Sequence, residues 1–172
     1  MFQIIALAVI ILLTVIDRIT KIAVCKTIMV DGPKEFFGGL FQLRYVENTG
    51  AAFSAFSDST VVLTVFTILI IILCLYLIFS KRIKKMFPNI CLILVVAGGI
   101  GNEIDRIMNG FVVDFIEPLF MDFAVFNFAD CCITVGAILL MAYEIKELIA
   151  EKKEAKATAD NNESKKDDCE NH

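Results

Sequence analysis

The sequence predicts a mainly α, polytopic membrane protein: four transmembrane helices with a small β-containing outer-face subdomain in the first extracytoplasmic loop. Three observations lead there. The 172 residues are 58% hydrophobic with a mean hydropathy of +0.74, too apolar for an ordinary soluble domain. Four stretches come close to the roughly 20 apolar residues that a helix needs to cross a hydrocarbon core of about 30 Å. One intervening loop instead shows the alternation of a half-buried strand.

The expected spans are residues 2–24, 61–79, 90–108 and 126–143. The first lacks a basic leading region and a small-residue cleavage site, so it reads as a retained anchor and not as a removable signal peptide. The second carries no charge, whereas the others have polar residues near one end. Between spans two and three, Ser80-Lys81-Arg82-Ile83-Lys84-Lys85 holds four basic residues, which the positive-inside rule assigns to the cytoplasm. Both termini are then cytoplasmic, and the loops 25–60 and 109–125 lie outside. Within loop 25–60, Phe41-Gln42-Leu43-Arg44-Tyr45 alternates as a strand does and follows a Gly38-Gly39 turn signal. Residues 1–150 therefore form one four-helix membrane domain, and the polar tail 151–172 is expected to be disordered.

Composition also removes function classes. Nine of the twenty acids lie between Glu144 and Glu170, in a tail also rich in lysine, so the net charge of -4 says little about partners. No basic patch is interleaved with aromatics, and no nucleic-acid partner is expected. The six cysteines show no CxxC spacing, which suggests neither a zinc site nor a disulfide framework. The single histidine is His172, too close to a frayed end to serve a Ser-His-Asp or Cys-His mechanism. Carboxylate chemistry is left, with an all-carboxylate metal site still open on composition alone.

Helical rise places the polar residues in one layer. Asp17 lies roughly 22 Å along the first span, and Asn102 and Asp105 lie roughly 18 and 22 Å along the third. Asp130 falls about a turn below the outer end of the fourth span, and Asp114 follows the third span at the same face. Acids in or beside hydrocarbon are costly, so they mark a functional site or one half of an ion pair. Asn102, Asp105 and Arg106 share a helical face, and Arg106, unable to face Asp105, is expected to find its partner on another element. Asp17 and Lys21, one turn apart, read equally as an intrahelical ion pair or as site residues. A small proton- or ion-coupled transporter is the rival reading, and a noncatalytic scaffold a third.

Five segments carry a resemblance: Asp17-Arg18-Ile19-Thr20-Lys21, Asn48-Thr49-Gly50-Ala51-Ala52-Phe53, Gly101-Asn102-Glu103-Ile104-Asp105-Arg106, Gly110-Phe111-Val112-Val113-Asp114-Phe115 and Phe126-Asn127-Phe128-Ala129-Asp130. In that order they resemble the lipoprotein signal peptidase (signal peptidase II) family of bacterial membrane aspartic peptidases, over about residues 10–142. The resemblance implies an endopeptidase of the bacterial cytoplasmic membrane with its site near the outer face. Its substrates would be lipid-modified prolipoproteins, cut on the amino side of the diacylglyceryl-cysteine. No metal or other cofactor is expected, membrane lipids are the surroundings, and a monomer is expected. Asp114 and Asp130 match the catalytic pair. Asp17, Lys21, Asn48, Gly50, Asn102, Asp105, Arg106, Asn127 and Ala129 match positions that support the site or hold substrate.

For Asn127, helix capping and site support are equally good readings. Gly98 and Gly99 read as helix-packing residues, Gly50 as a backbone contact to the peptide, and Cys131 and Cys132 as small interface fillers. Phe53 and Phe56 read as residues that dip into the outer leaflet or cover the substrate.

Overall fold

The structure, a computed structural model, describes residues 1–50, 60–80 and 82–170, so Phe53 and Phe56 lie outside the described residues. Helix α1 (Phe2–Asp31) leads into strands β1 (Lys34–Phe36) and β2 (Phe41–Asn48). Helices α2 (Thr60–Phe79) and α3 (Met86–Asn109) follow, then strand β3 (Val112–Pro118) and helix α4 (Phe128–Glu170). All four helices are long and apolar enough to cross a membrane. Their outer surfaces expose Ile4, Leu12, Val61, Leu69 and Leu73, while Lys21, Asp17, Asp105, Asp114 and Asn127 are among the most enclosed side chains. Such an inverted distribution suits a hydrocarbon solvent. The chain divides into two units, Met1–Ala137 and Ile138–His172; the first contains the sheet, three complete helices and the first turns of α4.

Helix boundaries depart from the sequence expectation for local reasons. Helix α1 runs on to Asp31 because its last turns bury Val24 and Ile28 against Phe115, and it stops only at Gly32 (φ 88°). Helix α3 begins at Met86, ahead of Ile90, because Pro88 sits in the first turn, where a missing N–H breaks no intrahelical bond. It ends at Gly110, whose left-handed φ of 81° lets its N–H bond Arg106 O at 3.0 Å. Helix α4 continues to Glu170 through the segment for which the sequence reading expects no order. Glu, Lys and Ala favour helix there, and extending an existing helix needs no new nucleus.

The sheet is wider than expected. Its antiparallel order is β1-β2-β3, so loop 25–60 supplies two strands and loop 109–125 the third. Register runs Phe36↔Phe41 across the first pair, at the Gly38-Gly39 turn. In the second pair Leu43↔Ile116 is followed by Val46↔Asp114 and Asn48↔Val112, a bulge that places one extra residue in β2. Phe126 then returns to β3: its carbonyl accepts from Phe115 and Ile116 N–H at 3.0 and 2.7 Å, and its N–H bonds Ile116 O at 3.0 Å. That stitch sets the start of α4 beside Asp114.

Close packing of α3 against α4 depends on absent side chains. A Cβ at Gly98 would lie 2.3 Å from Ala129 O, and one at Gly136 would lie 2.7 Å from Cys91 O. Both obstacles are backbone and cannot turn aside. At Gly99 the nearest atoms are instead side-chain carbons of Ile71, at 3.0 and 3.1 Å. Gly98→Ala should therefore cost about 1–3 kcal/mol, read as a lower unfolding midpoint with a thiol-reactive dye in detergent, and Gly99→Ala should cost less. Equal midpoints for both variants would contradict this packing.

Candidate active site

Helix α1 contributes Asp17, Arg18 and Lys21, one turn apart or adjacent, to the interior. Lys21 is 1% exposed. Its Nζ lies 2.9 Å from Asp17 Oδ2 and 3.0 Å from Asp105 Oδ2, and donates to Asn102 Oδ1 at 2.9 Å. An ammonium has three donors, and three acceptors surround this one. The intrahelical Asp17/Lys21 ion pair thus also reaches α3, through Asp105 and Asn102.

Asp105 joins three elements. Its Oδ1 accepts from Arg18, and its Oδ2 faces Lys21 and accepts the Val113 N–H at 3.2 Å. That last bond ties α3 to the residue before Asp114. Asp17 Oδ1 accepts the Ala129 N–H at 3.0 Å, tying α1 to the first turn of α4. A Cβ at Gly101 would meet Asp17 Oδ2 at 2.6 Å and Ala129 Cβ at 3.3 Å, so both sites need minimal side chains.

Three asparagines link this ionic cluster to the two remaining acids. Asn102 Oδ1 accepts from Lys21, so its Nδ2 faces the other way and donates to Asp130 Oδ1 at 2.7 Å. Asn127 Nδ2 donates to Asp114 Oδ1 at 2.6 Å and to Asn102 Oδ1 at 3.1 Å. Asn48 Nδ2 donates to Asp114 Oδ2 at 2.7 Å, diagonally across the β2/β3 ladder, and its Oδ1 accepts the Gly50 N–H at 3.0 Å.

Asn127 caps α4 as well as bonding Asp114 and Asn102. Its Oδ1 accepts the Asp130 N–H at 2.9 Å while its own N–H donates to Asp130 Oδ2 at 3.0 Å, the reciprocal arrangement of a capping box. The carboxylate that begins α4 is thus held by the helix it begins. All four oxygens of Asp114 and Asp130 accept hydrogen bonds, and the donors are neutral amides: three asparagine side chains and the Asn127 backbone N–H, which supply four bonds among the described residues.

Asp114 and Asp130 open onto one cavity of about 440 Å³, with Asn48, Gly50, Asn102 and Arg106 on its polar side. Phe123, Phe126, Cys131 and Val135 form much of the apolar side. Asp114 is 1% exposed, and burial, with Asp130 nearby, pushes its carboxyl from the usual 3.8 to about 7 despite the donors from Asn48 and Asn127. Two carboxyls in one cavity, one of them holding its proton near neutrality, can supply an acid and a base together.

The sequence expectation for Arg106 is corrected. Among the described residues its partner lies on its own helix: Nη1 donates to Glu103 Oε1 at 2.7 Å, one turn back on α3. Spacing of three residues permits that pair as readily as four. Besides Lys21, Arg18 also reaches Asp105 from α1; it stands in the segment Asp17-Arg18-Ile19-Thr20-Lys21 but is not among the expected site residues. Cys132 is buried and Cys131 half-buried, the latter lining the cavity beside Asp130.

With this geometry in hand, comparison with known proteins is decisive. A profile of the signal peptidase (SPase) II family matches residues 9–146. The chain belongs to this family. Curated proteins of Streptococcus pyogenes serotype M2 (strain MGAS10270) and serotype M1, both named lipoprotein signal peptidase, are 39% and 38% identical over 137 residues. Each alignment covers 80% of this chain and 90% of the relative. Two bacterial membrane enzyme structures solved by the in meso method, at 2.3 and 1.9 Å, superpose with TM-scores of 0.77 and 0.73. Their identities are 29% and 30%, over 83% and 82% of this chain and 88% and 92% of theirs. The protein is a multi-pass membrane peptidase of the signal peptidase II family.

Removing the central cation should be severe. Lys21→Met leaves Asp17 and Asp105 facing each other without it, and breaking a buried ion pair in this way costs about 3–5 kcal/mol. The expected result is a large fall in the unfolding midpoint in detergent; a midpoint within error of the wild type would refute the ionic anchor.

Proposed function

We propose that this peptidase removes signal peptides from diacylglyceryl-modified prolipoproteins, cutting on the amino side of the lipidated cysteine with Asp114 and Asp130 as its acid and base. The observation that carries the reading is the shared cavity: two carboxyls fixed by Asn48, Asn102 and Asn127 on one side, an apolar wall along α4 on the other. A polar scissile bond joined to acyl chains and an apolar signal helix matches such a two-sided site.

In the proposed cycle the pair shares one proton, which starts on Asp114, the more buried acid, whose carboxyl burial pushes up to about 7. Asp130 takes a proton from water as the water oxygen attacks the scissile carbonyl carbon, and Asp114 gives its proton to the carbonyl oxygen. The resulting gem-diol collapses when Asp130 returns a proton to the amide nitrogen, the C–N bond breaks, and Asp114 regains a proton from a hydroxyl. Atoms balance with one water consumed. Asn102 and Asn127 hold both acids in position without adding charge, and Arg106 offers a cation on the polar side. Lys21 acts one step removed, as a positioning residue that fixes which way the Asn102 amide faces.

We place the site near the outer face of a bacterial cytoplasmic membrane, both termini inside, in a monomer. The basic run from Lys81 to Lys85 supports that orientation. A transporter reading has less support, because the buried residues of α2 are the apolar Cys74 and Ile78 and offer no polar relay.

Two measurements test the mechanism. Asp114→Asn and Asp130→Asn should each reduce cleavage of a diacylglyceryl-modified substrate in detergent by about 10³-fold or more, with unfolding midpoints preserved. Substantial turnover by either variant would remove the pair from the chemistry. In the pH profile, activity should fall as pH rises through about 7, where Asp114 loses its proton. The sign for stability is the same: a carboxyl raised from 3.8 contributes fully below that value and loses its contribution as pH climbs through about 7. Asp114→Asn should flatten this decline, and an unchanged slope would place the proton elsewhere.

A further inference from the structure

At the end of the spanning helices remote from the sheet, a second cavity of about 480 Å³ opens between the start of α1, the end of α2 and the start of α3. Phe2, Ile78 and Met86 give it apolar walls, and Gln3, Lys84 and Asn89 line its polar part. The basic run that contains Lys84 has no part in peptide hydrolysis.

Gln3 is engaged, its Nε2 donating to Phe79 O at 3.0 Å. Asn89 is engaged on one side only. Its Nδ2 donates to Ile83 O at 2.9 Å and Lys85 O at 2.8 Å, and only an NH2 group can serve two carbonyls, so the orientation of the amide is determined. Oδ1 is the atom left over, and it is buried with no hydrogen-bond partner among the described residues, in a residue only 4% exposed. A buried acceptor of this kind calls for a donor.

The same cavity suits negative charge. Lys84 lines it, and α3 starts there with no side-chain cap and no acidic residue in its first turn, so the helix supplies no anion to its own positive end. Beside the opening, Met86, Phe87 and Ile90 are exposed along α3 as a surface for hydrocarbon. An occupant that combines an anion, a hydrogen-bond donor such as a hydroxyl, and apolar chains answers all three features.

We propose that this cavity binds the headgroup of an anionic glycerophospholipid bearing a free headgroup hydroxyl, phosphatidylglycerol being the simplest. The phosphate lies against Lys84 and the start of α3, a glycerol hydroxyl donates to Asn89 Oδ1, and the acyl chains follow Phe87 and Ile90. Basic pockets between spanning helices suit such headgroups. This site is separate from the peptidase cavity and does not rest on the catalytic reading.

Native mass spectrometry of the full chain, delipidated in detergent and re-supplied with defined lipids, tests it. One phosphatidylglycerol per chain should be retained in preference to phosphatidylcholine, by its charge, and to phosphatidylmethanol, an anionic phosphodiester with no headgroup hydroxyl, by its hydroxyl. Lys84→Gln, an exposed position that the fold tolerates, should weaken retention about fivefold. Asn89→Ala should erase the preference over phosphatidylmethanol; should that variant fail to fold, the wild-type comparison of the two anionic lipids still decides the role of the hydroxyl. Equal retention of phosphatidylglycerol and phosphatidylcholine would overturn the proposal, as would retention unaltered by Lys84→Gln. Full displacement of the lipid by inorganic phosphate at equal concentration would assign the cavity to free phosphate instead. Peptidase activity is not part of the readout.

Discussion

An ammonium ion inside the membrane-spanning part of a protein has to be enclosed by acceptors, and Lys21 gathers Asp17, Asp105 and Asn102 around a single nitrogen. Each acceptor passes the constraint outward. Asp17 grips the first turn of α4 through Ala129 N–H, Asp105 grips β3 through Val113 N–H, and Asn102 turns its amide toward Asp130. Three helices and a strand are therefore positioned from one buried charge. Burying that charge is unfavourable in itself, and its return is geometric definition of the parts that touch it.

Between this ionic cluster and the cavity stand only neutral amides. Were a lysine or arginine bonded directly to Asp114 or Asp130, it would hold that carboxyl ionised and remove the acid from the pair. Asparagine orients a carboxylate almost as well while leaving its proton affinity high, as the position of Asp114 near 7 illustrates. Lys21 is near enough to lower Asp114 somewhat, yet burial and Asp130 outweigh it. The site separates two tasks: charge for anchoring, amides for alignment.

Much of this was legible in the chain because helices convert sequence distance into depth at a constant rise. Asp17, Asn102 and Asp105 share a layer on that argument alone, and hydrogen bonds through Lys21 now connect them. What escaped the reading depends on longer-range pairing. Val112–Pro118 is a strand only because β2 lies beside it, and nothing within those seven residues announces the partner. Arg18 and Arg106 were ambiguous for a different reason: each has several acids within reach of a long side chain, and packing chooses among them. The helical continuation of α4 follows helix propensity in a polar segment, a signal that a search for apolar faces passes over.

The bulge in β2 has a consequence for charge. With uninterrupted pairing from Leu43↔Ile116, the residue opposite Val112 would be Glu47; one extra residue puts Asn48 there instead. Facing parity in a strand is binary, so the insertion exchanges a carboxylate for an amide beside Asp114 and sends Glu47 to the exposed side, where Tyr45 bonds it at 3.0 Å. A third acid next to the pair would compete for its single proton. The length of an outer-face strand, counted in whole residues, thus decides how many carboxylates the buried site must accommodate.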